Sequence, residues 1–231
     1  MEFITKIISI RPITHDVKSF RLEKPPGYRF HPGQATDFSV NKPAWKDEKR
    51  PFTFTSLNED PFLEFTIKRY PDHHGVTNLL HSLQPGDEVI IRDVWGAIEY
   101  RGPGYFIAGG AGITPFLAIL RQLHKEDKMQ DNTLFFSNKT AADIIYEQEL
   151  GSILGANALF VITKEKETGS LHSQEKKTRY LHTHINEGFL RQHVADFHRP
   201  FYICGPDAMI AEINRILTGL GASPEALVFE K

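Results

Sequence analysis

Four clusters of residues in this chain have types and spacing suited to chemistry. In the first, Gly109-Gly110-Ala111-Gly112-Ile113-Thr114-Pro115 follows a short apolar run. Bare glycines let the backbone turn tightly and take φ > 0. Pro115 sits just inside the next helix, where its missing N–H costs nothing. Unpaired N–H groups and the helix dipole would then face an anion. A dinucleotide fingerprint would want a further glycine where Pro115 stands, so a nucleotide site and a plain strand-to-helix turn both stay open. The second cluster is Arg50-Pro51-Phe52-Thr53-Phe54-Thr55-Ser56. Alternation puts Phe52 and Phe54 on one face and Thr53 and Thr55 on the other. Arg50 offers a planar donor fork suited to phosphate, or simply ends a strand. The third, His74-Gly75-Val76-Thr77, opens a helix whose N–H groups and Thr77 hydroxyl would hold a phosphate or form an ordinary cap. In the fourth, Cys204-Gly205-Pro206-Asp207, a thiol ends a strand just before a turn, and a buried thiol is ordinarily inert packing.

The elements that must position these clusters divide the chain in two. Residues 1–102 read as short strands at 6–10, 17–22, 35–40, 51–56, 63–68 and 88–92, with one helical piece at 76–83. Pro-Gly pairs at 26–27, 32–33 and 85–86 punctuate them. Six short strands suggest a small antiparallel barrel. Residues 103–231 alternate strands, at 105–108, 133–137, 158–163, 201–204 and 226–229, with helices at 114–124, 142–150, 186–192 and 207–220. That alternation implies a parallel sheet with helices on both faces, and ligands in such sheets lie at the C-terminal strand ends. The polar, aperiodic residues 164–180 read as a long solvated loop.

Composition narrows the classes. With 231 residues and a net charge of −2, nothing points to nucleic acid or an anionic membrane as partner. No apolar run approaches bilayer length, and the N-terminus lacks a signal pattern, so a cytoplasmic monomer is expected. The single cysteine excludes an internal disulfide, a cysteine-ligated iron–sulfur cluster and a four-cysteine zinc site within this chain. His73-His74 and His182-Thr183-His184 have no Cys or carboxylate partner at metal-site spacing, so no metal is expected.

Over nearly its whole length the chain resembles the ferredoxin–NADP reductase superfamily. The family pattern Arg-x-Tyr-Ser is similar to Arg50-Pro51-Phe52-Thr53. Its strand followed by Gly-x-Ser/Thr is similar to Ile67-Lys68-Arg69 with Gly75-Val76-Thr77. Its Gly-Gly-x-Gly-x-x-Pro turn is similar to residues 109–115, and its Cys-Gly-Pro-x-x-Met to Cys204-Gly205-Pro206-Asp207-Ala208-Met209. The resemblance implies a six-stranded antiparallel flavin-binding barrel followed by a Rossmann-like NAD(P)-binding domain. It implies that Phe52 packs on the flavin ring, that Thr53 bonds flavin N5, and that Arg50 with Gly75, Val76 and Thr77 holds the flavin phosphates. Gly110, Gly112, Thr114, Pro115, Gly205, Pro206 and Met209 would hold the pyridine nucleotide, with Thr114 and Cys204 beside the nicotinamide. Glu230 stands where the family often has a glutamate near the flavin; only Lys231 follows it, so the aromatic that commonly comes next is either missing or replaced by Phe229.

The implied activity is a flavin-dependent oxidoreductase moving electrons between NAD(P)H and a separate carrier, such as ferredoxin or flavodoxin, or a small molecule. FAD is expected rather than FMN, because the loop at 41–49, with Trp45, suits an adenine. NADPH is expected over NADH. An acidic residue at the end of the second nucleotide-domain strand would repel a 2′-phosphate, and Ser137-Asn138-Lys139 stands there instead. Against this, the family's Gly-Arg before the fourth helix is replaced by Thr183-His184. Two other classes remain open: an electron-transfer subunit or sensor with no turnover of its own, and a flavin-free barrel serving as a binding module.

Overall fold

A computed structural model describes residues 1–71, 75–96, 98–165 and 179–229. The chain forms two compact units, Met1–Glu99 with Thr114–Gln122, and Tyr100–Ile113 with Leu123–Lys231. Thus a helical segment beyond the 102/103 boundary in sequence packs with the first unit.

The first unit is one antiparallel sheet of β1 (Glu2–Pro12), β2 (Val17–Glu23), β3 (Ala35–Val40), β4 (Arg50–Thr53), β5 (Phe62–Lys68) and β6 (Glu88–Trp95), in the order β4-β3-β6-β1-β2-β5. Phe54, just past β4, bridges Phe65 of β5, so the two edges meet and the sheet curls into a barrel. Its interior is aromatic: Phe20, Phe38, Phe54 and Phe65 are fully buried. Phe30 stacks on Phe54 at 4.2 Å between ring centroids, and Phe54 meets Phe65 at 5.0 Å. A bulge bends β3 between Thr36 and Phe38. There the Thr36 hydroxyl repairs the ladder, accepting from Arg92 N–H at 2.9 Å and donating to the Arg92 carbonyl at 2.8 Å. The helix α1 (Val76–Leu80) is shorter than its apolar spacing suggests. It stops where the half-buried His81 ring meets the Ile67 carbonyl at 2.9 Å.

The second unit is a parallel sheet of β7 (Tyr105–Gly109), β8 (Thr133–Asn138), β9 (Ala158–Ile162), β10 (Arg179–His182), β11 (Phe201–Cys204) and β12 (Leu227–Phe229), in the order β10-β9-β8-β7-β11-β12. β7 and β9 are buried at every position, as strands covered on both faces must be. The connecting helices are α2 (Thr114–Lys125), α3 (Glu147–Leu154), α4 (Glu187–His193) and α5 (Asp207–Gly219). Phe189 and Leu190 of α4 and Ile213 and Leu217 of α5 share a core with Ile107, Phe135 and Ile203.

Further elements depart from expectation. β10 begins at the last two residues of the expected loop and continues into residues assigned to no element; it is a four-residue edge strand paired only with β9, and such a run carries little apolar periodicity. Residues 166–178 of that expected loop lie outside the described residues. α3 begins at Glu147 rather than 142, because a Thr140–Asp143 capping box closes a 3-10 turn at Ala141–Asp143 and Tyr146 then takes a left-handed φ of 54°. β1 starts at Glu2, since Thr5 and Ile7 are both buried despite the charged residues between and before them. Among the described residues no helix is long and apolar enough to cross a membrane.

Candidate functional site

On the barrel, β4 is an edge strand, which is where Pro51 costs no ladder bond. Arg50 is half-exposed. Its Nη1 donates to the Lys49 carbonyl at 2.6 Å, and its Nη2 lies 3.8 Å from the Glu48 carboxylate. Exposed pairs of this kind contribute about 0–1 kcal/mol, so an incoming phosphate can displace them. Phe52 is half-buried and stands edge-on to Phe38 at 5.4 Å, on the same inward side as Phe54. Thr53, half-buried, takes the opposite side opposite Ala35.

At the end of β5 the three implied residues part company. Ile67 is 1% exposed and its side chain belongs to the barrel core, which leaves only backbone for a ligand. Lys68 is tied to Asp16 at 2.9 Å. Arg69 lines a cavity of about 330 Å³ together with Trp45, Gly75, Asn78, Leu79 and Ser82. Gly75 caps α1 with extended backbone and no side-chain bond, so a capping side chain does not occupy that first turn. Val76 is buried and Thr77 half-buried. The Trp45 loop is anchored by Arg92, which is 8% exposed and donates to the Lys46 carbonyl at 3.1 Å, to Ser39 at 3.0 Å and to Glu2 at 2.7 Å. His81 lines the cavity as well, and a cavity with one indole, one guanidinium, one imidazole, an amide, a hydroxyl and uncapped backbone fits a dinucleotide's phosphates and base. Sequence reading missed Asn78 and Ser82, which lie on α1 and the turn that follows it, and Arg92, which holds the Trp45 loop from β6, because the cavity joins that segment to a loop and a strand end distant in sequence. His73 and His74 lie outside the described residues.

In the second unit, β7 lies between β8 and β11, and the chain runs outward from it in both directions. The crevice at such a switch point is the usual ligand site of open parallel sheets. Cys204 pairs with Ala108 across β11 and β7, so the glycine turn and the Cys-Gly-Pro turn leave neighbouring strand ends. Of the three glycines only Gly110 has a left-handed φ, 52°. The others serve close approach. A Cβ on Gly112 would sit 2.2 Å from the Cys204 carbonyl oxygen, and one on Gly109 would sit 2.6 Å from Met209 Sδ and 3.0 Å from Pro206 Cδ. Gly110–Ile113 winds as a 3-10 turn before Thr114 and Pro115 open α2. The Cys204 thiol is half-buried.

At the end of β8, Ser137 is half-buried and Lys139 exposed. Between them Asn138 is 5% exposed, and its side-chain oxygen has no hydrogen-bond partner among the described residues. An orphaned buried acceptor at a strand end fits a polar ligand. Glu165, which sequence reading passed over, accepts from Ala141 N–H at 3.0 Å, two residues beyond Lys139. Glu230 lies outside the described residues.

Residues 5–100 match the family model of the oxidoreductase FAD-binding domain, and residues 106–215 that of the oxidoreductase NAD-binding domain. The reductase component of propane 2-monooxygenase from Rhodococcus jostii is 30% identical over 63% of this chain and 40% of its own length. NADH-cytochrome b5 reductase 2 from Mycosarcoma maydis is 27% identical over 93% of this chain and 64% of its own. The chain therefore spans between 40% and 64% of the length of these curated relatives. A ferredoxin NADP⁺ reductase from Neisseria gonorrhoeae, solved with FAD and NADP, shares the fold at a TM-score of 0.80, with 18% identity over 99% of this chain and 98% of that one.

Proposed function

The chain belongs to the ferredoxin–NADP reductase superfamily, and from that premise we propose that it is an FAD-dependent oxidoreductase carrying electrons from NAD(P)H to a separate one-electron carrier such as ferredoxin or flavodoxin. The observation that carries this reading is the pairing of Ala108 with Cys204 at the sheet's switch point, which sets two glycine-bearing turns side by side. A bound flavin accepts two electrons as a hydride and releases them singly. The chain's own residues hold, orient and shield. Arg50, Arg69 and the backbone of Gly75, Val76 and Thr77 take phosphates; Ile67 and Lys68 add backbone. Phe52 and Trp45 supply aromatic surface, and the Thr53 hydroxyl faces the ring. Gly110, Gly112, Thr114 and Pro115, with Gly205, Pro206 and Met209, form the nucleotide's backbone cradle, and Cys204 with Thr114 walls the nicotinamide. Holding two reacting rings in one geometry removes most of the entropic barrier to transfer.

The test is direct. Protein purified with its cofactor should release FAD, identified by mass, and should be reduced anaerobically by a nicotinamide coenzyme. Release of FMN alone, or protein that takes up no flavin, would overturn the reading. Reduction without passage to any one-electron carrier would instead favour a subunit that works only inside a larger assembly, a reading supported by the reductase components among its relatives.

For the coenzyme, the absence of a carboxylate on residues 137–139 and the exposed Lys139 support NADPH. Glu165 lies nearby but is engaged with Ala141 N–H. Lys139→Glu should move the ratio of kcat/KM toward NADH by about 1–3 kcal/mol, roughly five- to 150-fold, through like-charge repulsion of the 2′-phosphate. An unchanged ratio would place the adenosine end elsewhere.

A further inference from the structure

Neither Glu64 nor Arg121 has a task in the function proposed above, yet Glu64 is a buried ionisable group and Arg121, whose side chain is 19% exposed, is largely shielded beside it. Glu64 lies in the middle of β5 and is 2% exposed. Its Oε1 accepts from Arg121 Nη1 at 2.9 Å and from the Thr55 hydroxyl at 3.2 Å; its Oε2 accepts from Arg21 Nε at 3.1 Å. The same Arg121 Nη1 donates to the Thr55 carbonyl. The Thr55 hydroxyl meets that of Thr66 at 3.2 Å, and the Ser56 hydroxyl accepts from Glu64 N–H at 2.9 Å. All these residues lie in the first compact unit, which includes Thr114–Gln122 of α2. Burial pushes the Glu64 carboxyl up, but the Arg121 guanidinium, and behind it Arg21, outweigh burial and hold it below the usual carboxylate range. The carboxyl is therefore ionised at neutral pH.

A buried ion pair is a poor source of net stability, because well-packed apolar residues of similar volume often match it. Its directional bonds do something apolar packing does not: they fix one register between the segments that carry them. Those segments are the ones that matter for transfer. Thr55 lies two residues beyond Thr53, and alternate residues of an extended run share a face. Arg121 lies seven residues beyond Thr114, which on an α-helix is about 20° from the same face and about 10 Å along it. We infer that Glu64 and Arg121 are positioning residues that, within the first unit, lock the face carrying Thr53 to the face carrying Thr114, and so fix where a flavin ring on Thr53 stands with respect to Thr114. The inference rests on the proposed function and adds residues that touch neither ring.

Three proteins test it, each loaded with FAD: wild type, the apolar double variant Glu64→Leu/Arg121→Met, and Arg121→Lys. The double variant leaves no unpaired buried charge, so it should fold, and its FAD dissociation constant and coenzyme KM should stay within about twofold of wild type, while anaerobic flavin reduction slows by about tenfold or more from misalignment. The long-wavelength charge-transfer absorption between bound flavin and nicotinamide, which reports ring stacking, should weaken with it. Arg121→Lys keeps the charge but loses the fork. It should fall between the two in both rate and absorption. A double variant with wild-type rate and absorption overturns the inference. If the double variant does not fold, an Arg121→Lys protein indistinguishable from wild type overturns it equally. Wild-type protein that takes up no FAD overturns the function beneath it, and the inference with it.

Discussion

Gly112→Ala is expected to lower the melting temperature by about 6–12 °C, which corresponds to about 3 kcal/mol in a chain of this size. An added Cβ would stand 2.2 Å from the Cys204 carbonyl oxygen, 2.5 Å from its carbon and 2.7 Å from the Gly205 nitrogen. All three are backbone atoms of a strand end held between β7 and β12, so no side chain can swing away to relieve the contact. Forcing the turn off β11 costs at the upper end of the overpacking range, about 3 kcal/mol. NADP(H) binding should be lost at temperatures where the protein stays folded, because the same displacement pulls the two turns apart. Gly110→Ala is the matched control. Its Cβ would enter open space, and its penalty is only the left-handed φ of 52°, about 1–2 kcal/mol. A Gly112→Ala protein melting with wild type would show that the turn does not lie against Cys204.

That glycine also shows where sequence reading reaches its limit. A Gly-Gly-x-Gly run says that side chains are excluded, but not by what. Positive φ is a local property and within this run is met only at Gly110; the exclusion at Gly109 and Gly112 comes from Met209, Pro206 and Cys204, about 90 to 100 residues away. Strands with strong local patterns were legible to the residue: β3 and β11 have the bounds their apolar runs suggest. β10 was not, because an edge strand with a single neighbour needs little apolar character. The fold class and the two turns at the switch point were legible because each depends on a contiguous motif. The cavity around Trp45, Arg69, Asn78 and Ser82 was not, since no contiguous motif contains it. Ile67 illustrates the converse: it lies within a motif, but alternation along β5 commits its side chain to the barrel core. The Glu64–Arg121 pair is invisible for the same reason as the cavity, a carboxylate and a guanidinium 57 residues apart with no spacing rule between them.

Removing the Thr53 hydroxyl or the Cys204 thiol should slow the hydride step by about tenfold or more while leaving the cofactor bound, on the scale of misplaced reactants. Thr53 is half-buried on the face of β4 opposite Phe52, so its hydroxyl is directed away from the barrel interior that Phe54 fills. Cys204 is half-buried at the last position of β11, directly beside Ala108 and before the chain turns at Gly205 and Pro206. Neither group needs to act as acid or nucleophile. In the proposed function Thr53 offers one hydrogen bond to a ring edge, and Cys204 offers a small, polarisable wall. Each constrains where one ring can lie, and transfer over a short gap is steep in that placement. Cys204→Ala removes one sulfur from a partly open position, so melting should stay near wild type. Thr53→Val keeps shape and β-branching, so β4 should hold its register, while the flavin absorption shifts with the lost hydrogen bond. Anaerobic stopped-flow reduction by NADPH isolates the step from any later electron carrier. The two variants should also differ in kind: Thr53→Val changes the spectrum of the flavin-loaded protein before coenzyme is added, and Cys204→Ala changes it only afterwards. Wild-type reduction rates in both variants, with FAD retained, would remove Thr53 and Cys204 from the site and move the reacting rings away from these strand ends.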